Sequence, residues 1–404
     1  MVMPLLVLAL AAQTADWPQW RGPNRDGLAA SFRSPGKWPA ALSLKWKTAM
    51  GPSYASPVAS SDRIFVFVRE NEQETVLAVD RTSGKIVWRQ SYAAPFEKNP
   101  YALRMGKGPY STPLLEQGRL HTLGSGGILS SWNAANGALV WRNNYSTRVN
   151  TAKLFTGTAM SPLVALGLLI VHIGDDSGGS VLALDPRTGK EKWKWDGDGP
   201  GYASPIVMNV AGDRQIVTLT SQRAIGLSAA TGALLWSVPF KDELNENIVT
   251  PLAGGGRVIL SGVRTGTFAL ELKPNAPPAK LWHNNDVAMY MSSPVASGDF
   301  VYGLNSRRKG QFFCLDVHTG KVLWNSTGRE TQNAALVAAG DYLLALTAEG
   351  ELVVARKSEQ QWEQVARYRV SDQPSWAHPV LLGGEIVIKD DGNLSMWMAS
   401  EGND

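Results

Sequence analysis

The chain has 404 residues, of which only 18% are charged, with 40 glycines, 23 prolines, 15 tryptophans and a formal net charge of +4. That balance excludes a helical protein and suits many short strands joined by tight turns. Its cations are scattered rather than striped, which excludes a nucleic-acid surface, and its single cysteine, Cys314, leaves nothing to build a disulfide, a Cys-x-x-Cys-His haem attachment or a cysteine-based zinc site.

Taken in chain order, Pro4 to Ala12 is an apolar run far below the roughly 20 residues that span a bilayer. With the small residues that follow it, this run predicts an export signal over residues 1–15, and a single domain over 16–404. The n-region has no Lys or Arg, so an uncleaved apolar tail is the alternative; no cysteine follows, which excludes a lipoprotein. Next comes a lone strand, Leu44 to Lys47, ending in Trp46 with no hairpin partner upstream. The phrase VLAVDRTSGKIVW, Val76 to Trp88, then sets a pattern that returns as ILSSWNAANGALVW, VLALDPRTGKEKW, AIGLSAATGALLW and FFCLDVHTGKVLW. Each copy is an apolar run, a polar corner, a glycine free to take positive φ, and a short strand ending in tryptophan, which predicts a hairpin.

A second phrase leads each hairpin: Ser56-Pro57, Thr112-Pro113, Ser161-Pro162, Ser204-Pro205, Thr250-Pro251, Ser293-Pro294 and His378-Pro379, with Asn333-Ala334-Ala335 in the seventh place. Seven intervals of about 46 residues separate the first proline from the last, the length of a four-stranded blade. The fold expected is all-β: an eight-bladed propeller of four-stranded antiparallel blades. After Trp324 there is room for one whole repeat and about three more strands. The orphan strand at Trp46 is therefore expected to complete the last blade, whose other strands come from Trp376 to Trp397, closing the ring without an exposed edge. Tryptophans at the strand ends are expected to wedge between blades, with Trp362 off that frame.

Propeller geometry puts the TG hairpins on one face and the longer, irregular loops that precede the Ser-Pro phrases on the other, where binding is expected. Two of those loops, Tyr92 to Pro109 and Asn144 to Ala159, are oversized and carry Lys98, Arg104, Lys107, Arg148 and Lys153 against Glu97. With Arg307-Arg308-Lys309 they make either a basic rim or simply a soluble one. Around the channel mouth the repeat places Tyr54, Tyr110, Met160, Tyr202, Ile248, Tyr290, Asn333 and Trp376, a ring suited to gripping a flat ligand or a peptide, or to packing where blades converge. His378 replaces the Ser or Thr before the repeat proline at this mouth, as a structural or a catalytic histidine. The candidate partner or ligand residues are Arg104, Lys107, Tyr110, Tyr202, Tyr290, Arg307, Trp376 and His378. The five histidines lack metal-ligand spacing, Asp175 to Gly179 lacks a calcium-loop pattern, and no nucleophile elbow or phosphate loop is present.

The DxxTGKxxW hairpins with Ser-Pro-led inner strands resemble the pyrroloquinoline-quinone-type propeller repeat. The opening WPQWRGPNRDG, Trp17 to Gly27, and the ending SWAHPVLLGGEIVIKDDGNLSMW are similar to exported bacterial propellers described as quinoprotein-like or BamB-like. The missing catalytic set, and a length spent wholly on the ring, favour an exported non-catalytic platform that engages another cell-envelope protein in the periplasm or envelope, with no cofactor and no transmembrane span in the mature chain. A quinone-dependent dehydrogenase of alcohols or sugars, with pyrroloquinoline quinone and calcium, is the alternative the family also implies. Its dehydrogenases carry a vicinal cysteine pair and a calcium-held catalytic Asp, which this sequence does not supply. A glycan-binding module is the third reading, resting on the aromatics near the mouth.

Overall fold

The computed structural model describes residues 16–102, 105–242, 246–308 and 310–399; the leader expected at 1–15, and Arg104 and Lys309, lie outside them. Within these residues 32 strands form eight four-stranded antiparallel sheets arranged as a propeller. Blade 1 takes Val58–Ala59, Arg63–Glu70, Gln73–Asp80 and Ile86–Ala93. Blades 2 to 7 repeat that order, ending in the outer strands Leu139–Asn144, Glu191–Gly197, Leu234–Pro239, Ala279–Asn284, Val322–Asn325 and Glu363–Arg369. Blade 8 takes Val380–Leu382, Glu385–Lys389 and Asn393–Met398, and its outermost strand is Ser43–Ala49, in register with Asn393–Met398. The orphan tryptophan strand thus closes the ring.

The burial of each strand follows its residues. Inner and middle strands are covered on both faces by neighbouring blades, so they read as unbroken apolar runs, as in the buried VLAV of Gln73–Asp80. Outer strands alternate, and Ile86–Ala93 turns Trp88 and Tyr92 inward while Ile86 and Val87 face solvent. Every outer strand also carries a register shift. In blade 1 Ala78 pairs with Trp88 but Val79 pairs with Ile86, leaving Val87 unpaired, and the same shift recurs in the other seven blades. A bulge re-aims the side chain that follows it. Here that side chain is the repeat tryptophan in seven blades: the indole N–H of Trp88 donates to Ala134 O of the next blade at 3.0 Å, Trp141 to Pro186 O at 3.0 Å, and Trp282 to Val317 O at 2.9 Å.

Blade 7 departs from this pattern. Ala366 stands where the tryptophan would be, and Trp38, from the segment before the closing strand, packs against Tyr342 and Tyr368 of that blade. Trp362 is off the frame as the spacing implied, yet it is not idle. It stacks on Phe312 of blade 6 with ring centroids 4.7 Å apart and touches Trp324.

The Ser/Thr of the Ser-Pro phrase proves to be a latch between blades. His378 N donates to Ser56 Oγ, Ser56 N to Thr112 Oγ1, Thr112 N to Ser161 Oγ, Ser161 N to Ser204 Oγ, and Thr250 N to Ser293 Oγ, at 2.8–3.3 Å. Each hydroxyl satisfies a backbone donor that would otherwise be orphaned where the inner strands converge.

The segment before the closing strand does what nothing in its composition announced: it threads the central channel and bonds to every blade. Trp17 exchanges backbone bonds with Ala59, Pro18 O accepts from Leu115 N, and Trp20 Nε1 donates to Thr250 Oγ1. The Arg25 guanidinium donates to the carbonyls of Ser161, Pro162 and Pro205, and Arg21 donates to Pro294 O. Ala29 N and Gly27 O pair with Ala338, and Arg33 N donates to Gly383 O. The channel is plugged.

Two further histidines are core residues. His121 is fully buried with no partner at either ring nitrogen, and His172 donates from Nε2 to Asp198 O at 3.0 Å. Burial pushes both down to about 4. A buried neutral histidine binds its proton more weakly folded than unfolded, so stability is complete above the unfolded value near 6.5 and falls as the pH drops toward 4, by roughly 3 kcal/mol for each. Denaturation midpoints measured from pH 7 to 4 should therefore decline, and His121→Leu should flatten the decline. An unchanged slope in that variant would assign the acid sensitivity elsewhere.

Candidate functional site

On the Ser-Pro face the converging inner strands leave a funnel. Its walls are Tyr54, Tyr110, Tyr202, Ile248, Asn333 and Trp376, its loop edge is Met105 and Phe155, and its floor is Trp20 of the plug, with Ser161, Ser204, Thr250 and Ser293 beneath. It encloses about 130 Å³, close to the ~150 Å³ in which a single benzene ring is held in an engineered core cavity. One ring-sized or branched apolar group fits there.

The tyrosines are fixed in place through their hydroxyls. Tyr54 Oη accepts from Gly106 N at 2.7 Å, Tyr110 Oη donates to Gly106 O at 2.5 Å, and Tyr202 Oη accepts from Phe155 N at 2.7 Å. The oversized loops between blades 1 and 2 and between blades 2 and 3 are thereby pinned to the funnel. Tyr54 lies 4.9 Å from Tyr110 and 6.0 Å from Trp376, ring centre to ring centre, at tilts of 34° and 38°. Burial holds the hydroxyls of Tyr54, Tyr110 and Tyr202 above the usual phenol range, so they remain protonated at neutral pH and offer no base.

Of the residues expected at the mouth, Tyr110, Tyr202 and Trp376 line the funnel together with Tyr54, Ile248 and Asn333. Tyr290 faces two adjoining cavities instead, its hydroxyl bonded to the buried Glu246 carboxylate. Met160 is buried in the packing of blades 2 and 3. His378 is not at the mouth: it is 3% exposed and lies behind Trp20, centroids 4.5 Å apart, where burial and the Arg21 charge push it far below its ordinary value. It is a neutral packing group against the plug.

Four of the cations expected on the rim have local partners. Lys107 bonds Glu72 at 2.5 Å, Arg148 donates to Ser180 Oγ at 2.6 Å, and Lys153 to Ser177 Oγ at 3.3 Å. Arg307 spends its guanidinium on the carbonyls of Val263, Arg264 and Asn285. These cations brace loops. The inserted loop between blades 1 and 2 is further anchored by Arg69, which donates to Ala94 O and Lys107 O and is itself held by the buried Glu74 carboxylate that Tyr92 Oη and Ser125 N also bond.

Sequence reasoning missed Trp20, Met105 and Phe155. Trp20 had a visible signal in the WPQW phrase, but no rule of periodicity places an irregular segment inside a channel.

A plugged, aromatic-mouthed ring of eight repeats defines a quinoprotein-like β-propeller. The chain belongs to the propeller family described as outer membrane protein assembly factor BamB, whose model matches residues 43–105 and 72–326. It is similar in structure to the quinohemoprotein alcohol dehydrogenase of Comamonas testosteroni, with a TM-score of 0.70 and 14% identity over 98% of this chain and 82% of that one. It is similar also to BamB from Moraxella catarrhalis, with a TM-score of 0.62 and 15% identity over 89% of this chain and 100% of that one. At such identities the likeness is one of fold. A serine/threonine-protein kinase, AfsK of Streptomyces griseus, is 26% identical over 174 residues, 41% of this chain, and the match spans 21% of the kinase's own length. No helix among the described residues is long and apolar enough to cross a membrane.

Proposed function

We propose that the protein is a non-catalytic interaction platform of the bacterial cell envelope, which receives an apolar or aromatic side chain of a partner protein in the funnel of its Ser-Pro face. The observation that carries this reading is the chemistry of the funnel wall: aromatic and aliphatic side chains with hydroxyls, and among the described residues neither a carboxylate nor a cation. A ring-sized apolar pocket on a rigid scaffold is the form an interface anchor takes. Membership of a family described as an assembly factor supports a protein partner, and the apolar leader supports export.

A calcium-held quinone does not fit these residues. A tricarboxylate quinone calls for cations around it and its calcium for oxygen ligands that include acids. The described walls supply neither, and no group of three or more metal-ligating side chains clusters among the described residues. The amine of Lys389, lowered by burial to about 8, is spent on Asp390 O and does not line the funnel.

The test is photo-crosslinking in the native cell. A benzophenone amino acid at Met105 should give a discrete adduct with one envelope protein, and the same probe at Ala135, on the TG face, should not. Tyr54→Ala with Trp376→Ala should cut the Met105 adduct about tenfold while charge reversal at Lys107 leaves it unchanged. Equal adducts from both faces would sink the platform, as would dye-linked alcohol oxidation on adding pyrroloquinoline quinone and calcium.

A further inference from the structure

We propose that the plugged channel holds a small monovalent anion, of the size and chemistry of chloride, against the guanidinium of Arg21. The site is separate from the funnel, whose lining does not include Arg21.

Arg21 is fully buried and Arg25 is 3% exposed, so the plug carries two cations into the interior of the ring. Among the described residues no carboxylate forms an ion pair with either. Asp26 acts on Arg21 only from beyond ion-pair distance, and its own Oδ1 accepts from Leu28 N at 2.9 Å. The two arginines are treated differently. Arg25 is satisfied: Nε donates to Pro205 O, Nη1 to Pro162 O and Gln19 Oε1, and Nη2 to Ser161 O. Arg21 is not: Nη2 reaches Asp26 O and Pro294 O, while Nε and Nη1 have no acceptor. His378, whose ring packs on Trp20 and feels the Arg21 charge, has an orphaned Nδ1 as well.

Burying a charge without a counter-charge is costly, and each orphaned N–H adds to that cost. The backbone does not drift into this arrangement either. Arg21 and Arg25 both sit in the left-handed region, at φ 59° and 61°, a conformation that non-glycine residues hold only when their surroundings enforce it. An arginine held in that conformation, fully enclosed, with donors aimed at no protein acceptor, is the half of an ion pair that the protein itself leaves open. Bonds to carbonyl dipoles satisfy the geometry of Arg25 but leave the net positive charge of the pair in place. A small anion supplies both the missing acceptor and the missing charge.

The experiment uses the full chain. Melting midpoints are measured at constant ionic strength while chloride is exchanged for gluconate, too large for an enclosed site. The expected result is a midpoint that rises with chloride and saturates, as for a ligand bound only by the folded state, and an Arg21→Met variant that has lost the dependence. Because that variant may fold poorly, crystals of the unaltered protein grown in bromide provide a second readout, an anomalous peak within hydrogen-bonding distance of Arg21 Nε or Nη1. Water alone at those atoms would overturn the proposal, and so would a chloride dependence that survives in Arg21→Met. A bromide peak without any chloride effect on the melt would mark an adventitious ion only, and overturns it too.

Discussion

Deleting residues 1–49 is expected to abolish the cooperative melt, whereas a chain beginning at Asp16 should melt as the reference protein does. The deletion removes two things at once. It takes away Ser43–Ala49, the strand that pairs with Asn393–Met398 and leaves no free edge in blade 8, and it takes away the plug that bonds to all eight blades. An intermediate deletion, to residue 42, separates them. It keeps the closing strand but strips the channel of Trp17, Arg21, Arg25 and the Trp38 that packs on Tyr342 and Tyr368. That variant should retain a ring with a lowered midpoint, because the inner-strand carbonyls lose their buried donors and face an open channel. Circular dichroism and calorimetry decide the order. An undiminished cooperative transition after deletion of 1–49 would refute closure by the N-terminal strand.

Trp282→Ala should cost about 3–5 kcal/mol, the range for a large aromatic removed from a core. Trp282 is 9% exposed, donates to Val317 O at 2.9 Å and covers Gly320 of the next blade. The glycine is under two constraints there: its φ is +71°, and a Cβ on it would lie 2.4 Å from the Trp282 ring. Gly320→Ala should therefore destabilise as well, through both strain and displacement of the indole. Leu281, the neighbouring residue in the same strand, is 41% exposed, and Leu281→Ala should change stability by about 0.5 kcal/mol or less. Urea denaturation of the three variants gives the ranking, and a Leu281 effect larger than that of Trp282 would show that the indole does not bear on the blade interface. Trp193 is the weaker choice for this test, since it is only half-buried and its bond to Ala229 O is 3.3 Å long.

The ring was legible because each blade is specified by residues close together in the chain. The turn at Asp80 to Gly84, the apolar run of Gln73–Asp80 and the tryptophan after the bulge are all set within some fifteen residues, so repetition alone gave the number of blades. Closure was legible for the same reason: Trp46 had the ending of a repeat without its beginning. The aromatic residues of the mouth were found by their place a few residues before the repeat proline, and Tyr110, Tyr202 and Trp376 do meet in the funnel.

What the sequence could not supply were the relations between residues brought together only by ring closure. Lys107 reads as a free loop cation until it meets Glu72, and Arg307 until it meets the carbonyls of the preceding blade. His378 reads as a group at the mouth until Trp20 covers it. The plug is the extreme case. Residues 16–33 have no period, their strand bonding among themselves is nil, and their donors find acceptors far along the chain, at Pro294 for Arg21 and at Gly383 for Arg33. The sequence by itself determined the repeat, the number of blades and the strand that closes them, because those are local patterns copied eight times. Only the tertiary structure decided that the channel is filled, where the funnel has its floor and which charges remain unpaired, because an irregular segment takes its conformation from the walls around it rather than from its own residues.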